Sequence, residues 1–505
     1  MPDILEPPPF ASDKLRDSNF GVEEPTTESG TKLAEYIADV VHPRFEQERD
    51  RLSEIDCWTV GKQPLCQTVR QGDVEKRALL ELSRSPWLGL AVSIYAQAMY
   101  VDGYRNPNTG EEGAAWKYWV ANNFQSRQIP IHRAMITYGY SFARSLPPDE
   151  EDVILMPGAK PAPVMRGVSP KRLYALYNDP LVDEFPRYAL ELMPDNRTWR
   201  WYDAYVYHEY ENPDNSGKFI YKRTVEHGVG VCPVVRFINC MDLDGRCYGD
   251  VEPFISVAAR IDKTDYDRLL VQHFNSWKIR WATGLEQAET DEEIEADKRK
   301  LAQDDILVSS DPNVEFGTLD ETNMSPFIEA HESDVESLAS MEQLPSHLFT
   351  GKVINVSAEA LAASRAQTTQ KLLEKQTSAA VSHALLLRLT AAVAGDLEAA
   401  SDFESRIAWK DVEVRSLAQA ADAYGKVAQQ LGVPKQFLWR FIPGFDAADV
   451  KEMEQLALAD DELSRYLREE FPMMQNGGGR NFVANAEMAN RSGRPMFDSV
   501  NPPTQ

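Results

Sequence analysis

Positive charge is in short supply. The 505 residues carry 53 lysines and arginines against 79 aspartates and glutamates, a formal charge of −26. No basic run is longer than Lys298-Arg299-Lys300. Proteins that grip DNA phosphate do so largely through counterion release by Lys and Arg, so this balance argues against a static DNA binder. It leaves room for a surface that DNA slides past, because like charge prevents sticking. Cysteine is scarce too: Cys57, Cys66, Cys232, Cys240 and Cys247, an odd count with no CxxC pair. Reduced thiols filling small core spaces in a cytosol-assembled protein are expected. No apolar run approaches the ~18 residues of a membrane span. The start, Met1 to Glu6 followed by Pro7-Pro8-Pro9, is acidic and broken, the opposite of a signal peptide.

Catalytic motifs are missing as well. There is no Gly-rich loop ending in Gly-Lys-Ser/Thr and no GxSxG. His208-Glu209 and His331-Glu332 lack the second histidine of a zincin helix. Asp304-Asp305 reads as a turn rather than a carboxylate dyad. Asp242-Leu243-Asp244-Gly245 lacks the twelve-residue spacing and closing Glu of a calcium loop. The expectation is a protein that is not an enzyme, with no cofactor and no metal.

What is present is a long succession of helices around a block of strands. Residues 1–30 are Pro-, Glu-, Ser- and Thr-rich and read as a flexible arm. Helical spacing begins near Thr31 and runs through Leu33, Tyr36, Ile37, Val40 and Val41, perturbed at Pro43. Residues 74–142 read as helical, with turn chemistry at Asp102-Gly103-Tyr104 and a close at Gly139. Alternation then predicts an antiparallel meander from Leu173 to Val234-Val235-Arg236-Phe237-Ile238, with a turn at 212–217. Asp250 to Trp277 reads as one helix of ~40 Å. Residues 278–324 hold short strands, at Ile279 to Thr283, 306–308 and Val314 to Phe316, and an acidic helical stretch. A helix capped by Ser325 follows, and Pro345 stops it. The longest helical run extends from Ser357 to about Ala394, ~55 Å, with a bend expected at Thr377-Ser378. A strand at Phe403 to Val414 and helices at 416–431, 434–441 and 446–470 complete the order.

Several stretches carry a resemblance. Trp119-Val120-Ala121-Asn122-Asn123 with Ile131 to Phe142, Gly230 to Phe237, Tyr248-Gly249-Asp250-Val251-Glu252-Pro253, Asn355 to Leu361, and Trp409-Lys410-Asp411 with Arg415-Ser416 follow one another in a specific order. Over roughly residues 30–450 they resemble the portal proteins of tailed double-stranded-DNA bacteriophages, of the long-tailed actinobacteriophage type. Many relatives have Gly-x-Ser-Glu or Gly-x-Ser-Asp at this entry to the first stem helix; here no Ser follows Gly249.

The resemblance implies an α+β, mainly helical portal fold with wing, stem, clip and crown. It implies an arm at 1–30, a wing at 31–247, and a first stem helix at 248–277. A clip at 278–324, a second stem helix at 325–343 and a tunnel loop at 344–356 come next. A long wing helix at 357–395, a wing return at 396–445, crown helices at 446–475 and an extended tail at 476–505 follow. It further implies a dodecameric channel at one capsid vertex of the virion, assembled in the bacterial cytoplasm, for genome packaging, retention and ejection. The implied partners are terminase and then a head-completion or adaptor protein, the major capsid protein and scaffold, and double-stranded DNA passing through.

Three groups of residues are candidates on this reading. Phe349, Thr350, Gly351, Lys352, Val353, Ile354 and Asn355 form the tunnel loop, with Lys352 its one cation. Glu329, Glu332, Asp334, Glu336 and Glu342 lie off the apolar face of Phe327, Ile328, Val335 and Leu338 and are expected to line a channel. In twelve copies they would place roughly sixty negative charges around DNA. Lys278, Arg280 and Lys298-Arg299-Lys300 are candidates for partner docking, against the alternative of a solvated face opposite Asp291-Glu292-Glu293. Trp199, Trp201, Tyr202, Tyr205 and Tyr207 read as sheet packing, or as a sugar- or base-stacking platform. The competing functions are another virion protein such as a head–tail adaptor, and a carbohydrate-active hydrolase.

Overall fold

The computed structural model describes residues 27–68, 70, 73–148, 162–213, 217–275, 280–283, 315–318, 322–352, 358–410, 417–439, 442, 449–450 and 452–459. Residues 1–410 form one unit and 411–505 a second, a boundary that falls inside the expected 396–445 return.

Helices α1 (Thr27–Tyr36) and α2 (His42–Val60) are joined by a π-helical turn, Ile37–Val41. The N–H of His42 reaches back to the carbonyl of Ile37. Pro43 has no N–H to supply the next rung, and the widened turn accommodates that loss. The helical track therefore continues through Pro43. Its buried face, Leu33, Ile37, Val41 and Phe45, packs on Leu190, Trp199, Trp201 and Phe219. Each such side chain contributes roughly 1.5–3 kcal/mol of burial free energy.

Leu190, Trp199 and Trp201 belong to a five-stranded meander, and Phe219 directly precedes its last strand; β4 to β8 are, in order, Leu173–Leu176, Tyr188–Leu192, Thr198–Tyr202, Val206–Glu211 and Ile220–Glu226. Alternation along β6 turns Trp199 and Trp201 towards the helices and Tyr202 towards a second sheet. That sheet has the order β3-β2-β9, from Val164–Val168, Tyr140–Leu146 and Val234–Ile238. Buried Arg144 on β2 meets Glu191 on β5 at 2.8 Å, and the Tyr202 hydroxyl donates to Glu191 at 2.8 Å. The two sheets are thus linked by an ion pair as well as by apolar packing.

Several expectations are corrected here. Val234–Ile238 is not the last strand of the meander; it pairs with β2. Residues 140–142 are strand, because Gly139 takes φ +94° and ends the helix there. Asp102-Gly103-Tyr104 is not a turn but part of β1 (Val101–Arg105), which pairs with β14 (Arg406–Trp409). Its partner lies about 300 residues away and leaves no local signal. Trp199, Trp201, Tyr202 and Tyr207 are each at most 1% exposed, so they are core residues and form no stacking platform. Asp242 accepts from the N–H groups of Asp244 and Arg246 and closes a tight turn between β10 (Cys240–Met241) and β11 (Cys247–Tyr248).

The largest core gathers α2, α4 (Trp87–Gln97), α5 (Trp116–Ala121) and α6 (Phe124–Tyr138) with three later helices. These are α7 (Ile255–Asn275), α8 (Ser325–Met341) and α10 (Ala358–Val393). Helix α3 (Val74–Leu82) and the single turn α9 (His347–Thr350) lie between them in sequence. Ser325 is the first helical residue of α8 rather than its cap; the Asn323 side chain accepts from the Ser325 N–H. Helix α10 spans 36 residues in one piece. The Thr377 hydroxyl donates to the Leu373 carbonyl within it, and the Ser378 hydroxyl donates to the Ile238 carbonyl on β9. Short α11 (Leu397–Ala400) precedes β14. Strands β12 (Arg280–Thr283) and β13 (Glu315–Thr318) pair antiparallel in the segment between α7 and α8. The second unit contains α12 (Leu417–Leu431) and α13 (Lys435–Leu438).

Candidate functional site

Helices α7 and α8 run antiparallel, as their contacts show. Asn275 at the end of α7 bonds Thr322 just before α8. Asp265 lies 3.5 Å from His331, and Arg260 meets Asp334 at 2.9 Å. Val257, Ala258 and Ile261 join Val335, Leu338 and Ala339 in the core. The α8 pattern of one apolar residue every three or four thus fixes which face meets the neighbours.

The five expected acids separate on this scaffold. Glu329 and Glu336 are exposed and two turns apart, so they share one face. Glu332 is half-buried and pairs with Lys352. Asp334 turns towards α7, where it accepts from Arg260 and from Thr264 at 3.0 Å. Glu342 is fully buried and faces α10, so it does not belong to a solvent-facing row. Periodicity gave the angle of each acid but could not show which neighbour covers it.

The tunnel-loop residues are also divided. Phe349 is buried within α9 and stacks on Trp87 with ring centres 6.1 Å apart. It is a core anchor rather than part of a loop. Thr350 closes that turn, and Gly351 takes φ +66° as its left-handed C-cap. Lys352 is exposed. Val353, Ile354 and Asn355 lie outside the described residues, as do Lys278 and Lys298-Arg299-Lys300. Arg280 starts β12, opposite Thr318 on β13.

A buried charge cluster escaped the sequence reading. The Lys375 ammonium donates to Asp250 at 2.8 Å and to Asn239 at 2.7 Å. Lys371 lies 3.1 Å from Asp250 and 3.0 Å from Glu342. The Tyr95 hydroxyl donates to the Glu342 carbonyl at 2.7 Å. Burial pushes the Glu342 carboxyl up to about 7, although Lys371 pulls the other way. Burial also opposes the charge on Asp250, but Lys375 and Lys371 outweigh it and hold that carboxyl below its usual range. The one visible signal was the i, i+4 spacing of Lys371 and Lys375 on a helix that becomes apolar beyond them.

A second buried pair joins α6 to α10. His132 and His383 approach to 2.8 Å between Nε2 atoms, and His132 Nδ1 lies 3.1 Å from the Met99 carbonyl. With both rings kept neutral by burial and His132 donating to Met99, His383 donates to His132. Burial holds His132 down at about 4 and His383 well below its usual value.

The profile of the family described as "Phage portal protein, SPP1 Gp6-like" matches residues 39–466, most of the sequence, and the chain belongs to that family. The family is structural and non-enzymatic. None of the curated protein sequences matches. Among solved structures, a chain described as "Neck of native GTA particle computed with C12 symmetry" is 11% identical, with a TM-score of 0.41. The alignment covers 75% of this chain and 95% of that one. The family assignment rests on the profile.

Proposed function

We propose that the protein forms a ring-shaped channel at one capsid vertex of a virion, through which the genome is packaged, retained and ejected. Membership of the portal family carries this reading. In it, α7 and α8 are the stem, and the β12–β13 ribbon belongs to the clip that docks terminase and then a head–tail connector. The meander and helices before α7 form the wing, and the helices from about 446 form the crown. The long-tailed actinobacteriophage type, a dodecameric state, and contacts with the major capsid protein and scaffold belong to the same proposal.

Glu329 and Glu336, with Glu332 beside them, are the acids that face DNA. In twelve copies the two exposed ones supply roughly two dozen negative charges, which at the ~8 Å screening length act only at close range. That lowers friction on a passing duplex without holding it. Lys352 is the residue for a transient phosphate contact.

Negative-stain imaging of the purified protein tests the reading. Rings with a central hole are expected. A stable monomer that binds oligosaccharide would instead favour the hydrolase alternative, and buried Trp199 and Trp201 argue against that outcome.

A further inference from the structure

The outer edge of β3 opens on a groove. The Ser145 N–H donates to the Pro233 carbonyl, ahead of β9, at 3.1 Å, and its neighbour Arg144 stands opposite Arg166 of β3. Backbone groups alternate in direction along a strand, so Arg166 turns its own to β2, whereas Met165 and Gly167 turn theirs away. At Met165 the Asn122 side chain takes the outward N–H at 2.9 Å, and the Asn122 amide also donates to the Pro163 carbonyl at 2.9 Å. Beyond that point Gly167 is exposed and lines a cavity of about 530 Å³, walled opposite by Pro130, Ile131 and Ala134 of α6. A second cavity of about 280 Å³ continues from Gly167 and Ser169 to Arg172 and Glu191.

Positive charge gathers here, against the trend of a chain at −26. Arg127, Arg166 and Arg172 line the two cavities, and the one acid of their lining, Glu191, is engaged by Arg144. Arg127, on the α6 side, donates to the Met165 carbonyl at 3.4 Å. Arg172, on the meander side, donates to the Met193 carbonyl and the Asn196 side chain, each at 2.9 Å. These acceptors are uncharged, so they do not neutralise either guanidinium.

We propose that this groove binds an extended acidic segment as a strand added to β3, and that its occupant is Asp3-Ile4-Leu5-Glu6 of the chain's own arm. Pro7 biases Glu6 towards extended backbone. Residues three apart in a strand face opposite sides, ~10 Å apart along it, so Asp3 and Glu6 address the two sides of the groove. Met165, where Arg127 reaches, and Ser169, whose carbonyl accepts from the Arg172 N–H, are ~13 Å apart by the same rise. Each acid thus meets one arginine, and Ile4 and Leu5 lie against the apolar walls between them. Reach is ample: α1 shares a core cluster with Leu192, which lines the second cavity, and residues 7–26 can span up to ~65 Å. A strand folding back directly ahead of β3 would have to pair first at Pro163 and Met165, which Asn122 holds, so the open stretch suits a segment from elsewhere. Residues 480–505 carry Arg480, Arg491 and Arg494 against Glu487 and Asp498, the wrong charge for it.

A photo-reactive benzophenone side chain placed at Leu5 of the full-length protein tests this, with the cross-linked peptides mapped by mass spectrometry. Cross-links are expected on peptides carrying 127–134 and 164–169. Arg127→Glu, at an exposed position, should reduce them several-fold, and either Asp3→Lys or Glu6→Lys in that background should restore them, whichever acid lies on the α6 side. Arg172→Glu should be rescued by the other lysine variant; if it fails to fold, Arg127→Glu and its rescue decide. Cross-links that map elsewhere, a yield indifferent to Arg127→Glu, or a loss that neither lysine variant restores, overturns the proposal. So does a benzophenone at Val153 that reaches 164–169 where the one at Leu5 does not. The measurement needs no channel activity, so its failure leaves the portal reading intact.

Discussion

At Gly249 an added methyl carbon would sit 2.2 Å from the Thr137 carbonyl oxygen, closer than any real contact. Across from it Gly139 would meet the backbone of Tyr248 at 2.6 Å. Two glycines therefore let the end of α6 cross the strand that leads to Asp250, whose N–H donates to the Ile136 carbonyl at 2.8 Å. Gly249→Ala is expected to cost about 1–3 kcal/mol, the usual range for forced overpacking. A denaturant midpoint equal to wild type would show that the two backbones can separate freely. The resemblance had singled out Gly249 by its place in a motif; its physical requirement is this close approach. A second residue-scale prediction concerns His132. Its folded value of about 4 lies below the ordinary 6.5. The unfolded chain therefore binds the extra proton first, and stability is lost as pH falls from about 6.5 to 4, by on the order of 3 kcal/mol. His132→Gln cannot take up that proton, so the stability gap between it and wild type should narrow as pH drops. A gap of the same size at pH 7.5 and pH 5 would count against the buried neutral pair.

Among the elements, α8 and the turn after it carry the clearest functional prediction. Lys352 sits against Glu332. Lys352→Glu would place two carboxylates side by side at the exposed edge of α8. Stability should change by no more than about 0.5 kcal/mol, as for most surface substitutions. Rings should still assemble, while the length of packaged genome or its retention changes. Normal packaging and titre in that variant would remove Lys352 from the DNA path. This is also the scale at which the limits of the sequence show. The amphipathic stripes of α7 and α8 and the length of α10 were legible because they repeat locally. The strand β1 was not, since Asp102-Gly103-Tyr104 has turn composition and its partner is remote. Phe349 was misplaced because Gly351 and Pro345 signal a loop, whereas Trp87 offers a stacking surface that only the fold supplies. Asp334 and Glu342 shared a polar arc with Glu329, yet the arc is wide enough for one edge to meet α7 and the end to meet α10.

For the whole molecule, the division of labour follows from charge. The formal charge is −26; among the buried carboxylates, Glu191, Asp250 and Glu342 have a cation beside them, whereas Asp203 and Asp262 accept hydrogen bonds from backbone N–H groups and Gln63. Breaking one such pair by removing its cation typically costs about 3–5 kcal/mol, because the remaining charge stays buried. The buried cluster around Lys371 therefore belongs to the protein's stability. The ring predicted above is the scale at which the exposed acids act together, since one copy alone sets up only a weak field.

The pairing of β1 with β14 has a consequence in time. A ribosome adds about 5–20 residues per second. Val101 must therefore wait roughly 15–60 s before Trp409, its partner in the ladder, has been made. During that interval the open edge of β1 and the buried faces of Tyr104 and Trp119 have no cover from the later chain. A growing polypeptide with an unpaired edge is a template for the wrong partner, and many copies made together on neighbouring ribosomes raise that hazard. The late strand closes residues 101–409 into one loop of sequence, so its arrival is the moment at which the first unit becomes safe to meet its own copies.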